Sequence, residues 1–191
     1  MGLGNPGEEY TNTRHNTGRM AVEFLAKRND LSEWKVDKKS KSLISRGAID
    51  KTLVALVLPE TFMNKSGTAS AAFVKNPKAA ERLVVVYDDL DLPIGSMKLS
   101  FDRGSGGHKG IESIARALKT TKFVRVRIGV SPETAGGSLR KPSGEKAVLD
   151  FILARFKPSE IDELKKVFKK ASEAIETIVT EGREIAMNRF N

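Results

Sequence analysis

Two continuous apolar runs stand out along the chain, Leu53–Leu58 (LVALVL) and Leu83–Tyr87 (LVVVY), and a third run alternates at Val124–Val130 (VRVRIGV). Runs of this length predict strands. The continuous two are expected to be covered on both faces, and the alternating one to lie nearer a sheet edge. Helical spacing follows His15, where Met20, Ala21, Phe24 and Leu25 fall on one face, and returns at Ile111, Ile114, Ala115 and Leu118. The longest helical pattern is C-terminal, with Ile161, Leu164, Phe168, Ala171, Ile175 and Ile178 at three- and four-residue spacing and charges on the other face. Pro158 and Ser159 are expected to start it, with Asp162 as the capping-box partner of Ser159. Strands alternating with helices predict an α/β sandwich around a mixed, mostly parallel central sheet covered by helices. Residues 136–144, rich in Gly, Ser and Pro, read as a loop rather than a boundary, so a single domain over residues 1–191 is expected.

Composition narrows the classes. Hydrophobic residues at 39% and charged residues at 30% are ordinary for a globular chain of 191 residues. No apolar run reaches the roughly 20 residues of a membrane span, and no signal-like segment opens the chain. The absence of cysteine excludes disulfides, thiol nucleophiles and cysteine-ligated zinc, and fits a reducing cytoplasm. A net charge of +9 is the electrostatic footprint of a nucleic-acid binder, or simply a solvated basic surface. With one Trp and two Tyr, a base-stacking platform is not expected, so a nucleic-acid partner would be held by its backbone.

The candidate chemistry gathers in four stretches. Gly2-Leu3-Gly4-Asn5-Pro6-Gly7 matches a dinucleotide fingerprint, but it lacks a preceding strand, carries Glu8 and Glu9 where phosphates would sit, and loses an N–H at Pro6. Its glycines are read instead as ending a strand in a sharp turn that exposes Asn5. Only His15 and His108 can supply imidazole chemistry. His15 lies in Thr13-Arg14-His15-Asn16 just before a helix, and Asp88 ends an apolar run, so its carboxylate is expected at a strand terminus. A carboxylate that accepts one imidazole N–H fixes the tautomer and makes the other nitrogen a better base, provided the fold joins the two. Asp88, Asp89 and Asp91 together offer a set of acids for Mg²⁺, but no other acidic cluster supports a metal. Asn64, after a strand-like run, joins Asn5 as an amide able to hold a peptide-like ligand. The loop Gly104–Gly110, leading into a helix, is a candidate phosphate clamp with Lys98, Arg103, Lys109, Arg125 and Arg127 around it.

These stretches together resemble the bacterial-type peptidyl-tRNA hydrolases. The resemblance rests on Gly2–Gly7 with Tyr10 and Thr13–Asn16, Thr61–Gly67 (TFMNKSG), Asp88–Pro93 (DDLDLP), Gly106–Gly110 (GGHKG), Arg125–Val130, Phe151–Leu153 and Ala186–Asn188, in order over essentially the whole chain. It implies hydrolysis of the ester joining an N-blocked peptide to tRNA, without metal or cofactor, by a monomer in the cytoplasm. It implies His15 as base, Asp88 as its orienting carboxylate, and Asn5, Tyr10, Met63, Asn64, His108 and Lys109 as substrate contacts. Lys98, Arg103 and Arg127 are the expected tRNA contacts, and the membrane is not an expected partner. The chain departs from the family pattern twice: only Met1 precedes the glycine motif, so the first strand is expected to be short, and Lys109 stands where the family usually has Asn. The competing readings are a silent relative that binds RNA without turnover and, more weakly, a nucleotide-dependent oxidoreductase.

Overall fold

We describe residues 1–134 and 136–191 in a computed structural model of the protein. In chain order its elements are α1 (Thr17–Arg28), β1 (Lys35–Asp37), β2 (Ser42–Ile49), β3 (Thr52–Pro59), α2 (Ser66–Phe73), α3 (Pro77–Ala80), β4 (Val84–Pro93), β5 (Met97–Phe101), α4 (Lys109–Leu118), β6 (Val124–Ser131), α5 (Glu145–Leu153), α6 (Pro158–Thr180) and α7 (Arg183–Phe190). Strands form a mixed sheet in the order β4-β6-β5 and an antiparallel sheet in the order β1-β2-β3. The expected α/β architecture with a mixed sheet is present. Its parallel pairing lies between β4 and β6, extended by a bridge from Gly2 to Val86 in the short first segment.

Alternation along the mixed sheet decides what each face meets. Val86, Val126 and Ile128 point to one side, where Leu25 of α1 and Phe168 of α6 complete a core. Val85 and Tyr87 point to the other side and pack with Leu3 and with Ile111, Ile114 and Leu118 of α4. Each such fully buried large apolar side chain contributes on the order of 2 kcal/mol. Asp88 therefore shares the α1 side of the sheet with Val86, while Asp89 follows Tyr87.

The first helix can lie directly on β4 because of Gly18. A methyl group there would stand 2.1 Å from Val86 O, a contact no Cβ tolerates. Gly2 is needed for the same reason, since its methyl would stand 2.4 Å from Gly18 O. The opening glycines thus serve close approach rather than the sharp turn expected of them; within the motif only Gly7 takes a positive φ, of 110°.

Four further expectations are corrected. β6 is the central strand, not an edge: its arginines are accommodated because Arg125 is 1% exposed beneath the Gly104 loop and Arg127 is paired with Asp89. β3 is not covered on both faces along its length, since Leu53 is 85% exposed and burial begins at Leu56. Asp88 does not end its strand, because the extended backbone continues to Pro93 through a register shift after Asp89. At α6, Pro158 is the first helical residue and Lys157 the cap, and Glu160 rather than Asp162 closes the turn by accepting Lys157 N–H at 2.7 Å.

Candidate active site

His15 lies in a single 3-10 turn, Arg14–Asn16, that feeds α1. The seating of α1 on β4 brings this turn over the α1-facing side of the sheet, where Asp88 emerges. His15 Nδ1 stands 3.0 Å from Asp88 Oδ2 and 3.1 Å from Oδ1. His15 is 7% exposed and Asp88 3%. His15 Nε2 has no hydrogen-bond partner among the described residues, and the residue lines a cavity of about 900 Å³.

Arg14 fastens the turn from behind. Its guanidinium lies over the rings of Phe151 (4.5 Å) and Phe156 (5.0 Å), and donates to Ala154 O, Arg155 O and both oxygens of Glu160. Arg14 thereby ties the His15 turn to α5 and α6. The sequence marked Arg14 only as part of a motif, without a role, because a buried arginine carries no periodic signal.

Asp88 is approached from the other layer as well. His108, the N-cap residue of α4, has Nε2 3.1 Å from Asp88 Oδ1. Its Nδ1 accepts from Gly110 N (3.2 Å) and Ile111 N (3.4 Å). A nitrogen that accepts from two backbone N–H groups must carry the lone pair, so the proton sits on Nε2 and is donated to Asp88. The amino end of α4 is thus capped from within, and is not the open phosphate clamp expected of the Gly104–Gly110 loop.

Charge follows from this geometry. Burial alone would raise the Asp88 carboxyl, but the two imidazole donors hold it well below the usual carboxylate range. Burial likewise disfavours a charged His15 ring. The charge of Asp88 and its hydrogen bond outweigh that, leaving His15 above the ordinary imidazole value. His15, Asp88 and His108 bring their ligand atoms within 4.8 Å of one another, a spacing a metal ion could share. Metal binding at His108 Nε2 would need the lone pair there and the proton on Nδ1, which faces two N–H groups. The Asp88–Asp91 stretch does not assemble as a cluster either, since Asp89 pairs with Arg127 (2.7 Å) and Asp91 with Lys141.

The remaining expected residues divide between two places. Lys98, Arg103, Arg127 and Lys109 join His15, Asp88 and His108 in lining the large cavity, and Val148, Leu149 and Ile152 of α5 add an apolar wall. Lys98 and Arg127 are cross-strand partners between β5 and β6. Lys109 is strongly exposed, with Glu112 3.8 Å from its ammonium group. Asn5, Tyr10, Met63 and Asn64 do not line that cavity. Asn5 Oδ1 accepts Met63 N–H at 2.8 Å, while its backbone exchanges two bonds with the Asn16 side chain, at 2.8 and 3.0 Å. Asn16 was legible only as part of a motif, without a role. Met63 abuts the amino end of α4, since a methyl on Gly110 would come within 2.6 Å of its Sδ. Asn64 is exposed, and Tyr10 meets Phe62 edge-on at 6.3 Å.

The model of one protein family, described as peptidyl-tRNA hydrolase, matches residues 1–191. The chain belongs to the peptidyl-tRNA hydrolase family. Among its relatives, a peptidyl-tRNA hydrolase of Chloroflexus aggregans is 44% identical over all of this chain and 97% of its own length. One of Alkaliphilus oremlandii is 40% identical over all of this chain and 97% of its own. The crystal structure of peptidyl-tRNA hydrolase from Acinetobacter baumannii superposes with a TM-score of 0.87 at 32% identity, covering all of this chain and 92% of that one. Family membership accounts for the order of the motifs along the chain, and the Asp88 pairing shows which of them the fold joins.

Proposed function

We propose that this chain hydrolyses the ester between an N-blocked peptide and the 3′-terminal ribose of tRNA, with His15 as general base and Asp88 as the carboxylate that orients it. The observation that carries this reading is the doubly bonded Asp88–His15 Nδ1 contact, which leaves Nε2 without a partner among the described residues, on a residue that lines a cavity large enough for an ester end. A water oxygen attacks the ester carbonyl as one of its protons passes to His15 Nε2. The tetrahedral intermediate then expels the ribose oxygen, which takes that proton from His15, giving a free tRNA hydroxyl and a peptide carboxylic acid that loses its remaining proton to solvent. The alkoxide leaving group makes an ester easier to cleave than an amide, so one oriented water and one base suffice.

Around this centre, Asn5 and Asn64 are assigned to the peptide amides, with Tyr10, Met63 and Lys109 beside the acceptor end. Amides that pair with a peptide link offer poor partners to a free ammonium, which would spare ordinary aminoacyl-tRNA. Lys98 and Arg103 have no acidic partner among the described residues, and with Arg127 they extend the cavity as a basic wall toward the tRNA backbone. The enzyme is assigned as a single-domain monomer acting in the cytoplasm without metal or cofactor. The test is release of N-acetyl-amino acid from N-acetyl-aminoacyl-tRNA in excess chelator, by the wild-type chain and by His15→Ala. Release by the first alone is expected. Loss of wild-type activity to the chelator, restored by Mg²⁺, would overturn the metal-free mechanism. Binding of tRNA without turnover by the wild type would assign the chain as an RNA-binding relative.

A further inference from the structure

The geometry points to His108 as a positioning residue of this reaction: the amino end of α4 holds its ring in the Nε2–H form, and that N–H clamps Asp88 so that the carboxylate keeps its second bond for His15. This inference rests on the reading of His15 as the base. It differs from the role of substrate contact expected of His108 from the sequence. Three observations carry it. His108 Nδ1 is committed to Gly110 N and Ile111 N, so the ring cannot turn over without uncapping the helix. Nε2 meets Asp88 Oδ1 at 3.1 Å, on the same oxygen that stands 3.1 Å from His15 Nδ1. The ring is wedged against Tyr87, with centroids 4.8 Å apart, and against His15 at 5.1 Å.

The consequence is an asymmetric use of two similar side chains. Both imidazoles bond the same carboxylate, yet one has its far nitrogen occupied by a helix end and the other has it without a partner among the described residues. A proton on His108 Nδ1 would face two backbone N–H groups and the positive end of the α4 dipole. A proton on His15 Nε2 meets no such opposing donor among the described residues. The charged and titratable groups around His108 are Asp88, His15 and Tyr87 and, on its own helix, Lys109 and Glu112, which stand opposite each other. The array therefore passes its proton through His15 alone, and His108 contributes a fixed N–H that also keeps Asp88 from becoming too strong an acceptor. Removing that N–H concentrates the carboxylate charge on His15, which then holds its proton more tightly.

The chain contains just these two histidines, so their ring nitrogens can be followed separately by ¹⁵N–¹H correlation spectroscopy without substrate. In the wild type, the neutral His108 ring is expected in the Nε2–H tautomer, with Nδ1 carrying the lone pair. A neutral ring protonated on Nδ1 instead would overturn the proposal. The decisive variant is His108→Asn, because Asn caps a helix as well as any residue but is too short to reach Asp88. It is expected to fold with an unchanged melting profile. The His15 titration and the acid limb of kcat should move up by about one pH unit, with KM for N-acetyl-aminoacyl-tRNA unchanged within about twofold. An unmoved His15 titration would reduce His108 to a helix cap. A raised KM at constant kcat would make it a substrate contact. Because the spectra are read without substrate, they judge His108 whether or not the wild type hydrolyses the ester.

Discussion

Replacing Asp88 by Asn keeps the shape of the residue, removes its charge and puts an N–H₂ donor where one of its two acceptor oxygens stood. In the wild type, three contacts of 3.0, 3.1 and 3.1 Å bring two N–H donors to two carboxylate oxygens. An amide offers one oxygen. If that oxygen serves His108, whose tautomer is fixed by the helix end, the amide N–H₂ turns to His15 Nδ1. The His15 proton is then forced onto Nε2, the nitrogen that must accept from water. If it serves His15 instead, two donors oppose each other at His108. The first arrangement removes general-base assistance outright, and that assistance is worth about 10²–10⁴-fold. We expect the plateau rate on N-acetyl-aminoacyl-tRNA to fall by that factor in single-turnover assays, with tRNA affinity retained. Stability carries a second signature. The Asp88 carboxyl is held low in the folded state, so its stabilising contribution is present above the carboxylate pKa of the unfolded chain and is lost as pH falls. Asp88→Asn should therefore melt lower at neutral pH and lose less on acidification than the wild type. A plateau within about threefold of wild type would refute the orienting role, since it corresponds to well under 1 kcal/mol of barrier.

Other outcomes follow from the same geometry. Because His15 must be unprotonated to act and its pKa is raised above 6.5, kcat/KM should fall on the acid side about a midpoint above that value; a midpoint below it would show that Asp88 does not govern the ring. Arg14→Met leaves Glu160 without its bidentate partner and frees the His15 turn, so we expect a loss of about 3 kcal/mol in denaturant titrations and a lower kcat; unchanged stability would contradict the anchoring role. Lys109→Asn should lower the slope of log K against log salt for peptidyl-tRNA by about 1. It should leave a minimal N-acyl-aminoacyl adenosine ester unaffected. Equal loss on both substrates would place Lys109 at the chemistry, and no change on either would leave it a solvated charge.

The sequence marked His15 and Asp88 because each stood at the edge of a recognisable element, and the fold places them in contact. It could not show that they meet. Their contact depends on Gly18 and Gly2, whose lack of side chains lets α1 settle on β4, and close approach leaves no periodic trace. Alternation misled where charge was neutralised internally: the arginines of VRVRIGV suggested an edge, but Asp89 and the Gly104 carbonyl receive them inside the central strand. Strands β1 and β2 were missed for a related reason, since β1 is three residues with one apolar position and β2 sets serines, an arginine and a glycine between apolar pairs that do not alternate. His108 was legible as an imidazole in a glycine-rich loop, but its bond to Asp88 was not. That bond joins residues 20 apart across two layers of the fold, and no spacing encodes it.

The measurement that tests the central claim most directly is the paired hydrolysis of N-acetyl-aminoacyl-tRNA and the corresponding free aminoacyl-tRNA, by the wild-type chain and by His15→Ala at equal folded concentration. Rapid release from the N-blocked substrate by the wild type alone, with both proteins binding tRNA equally, is the predicted result. Turnover by His15→Ala at a rate near wild type would contradict the assignment of His15 as the base, as would wild-type cleavage of neither substrate.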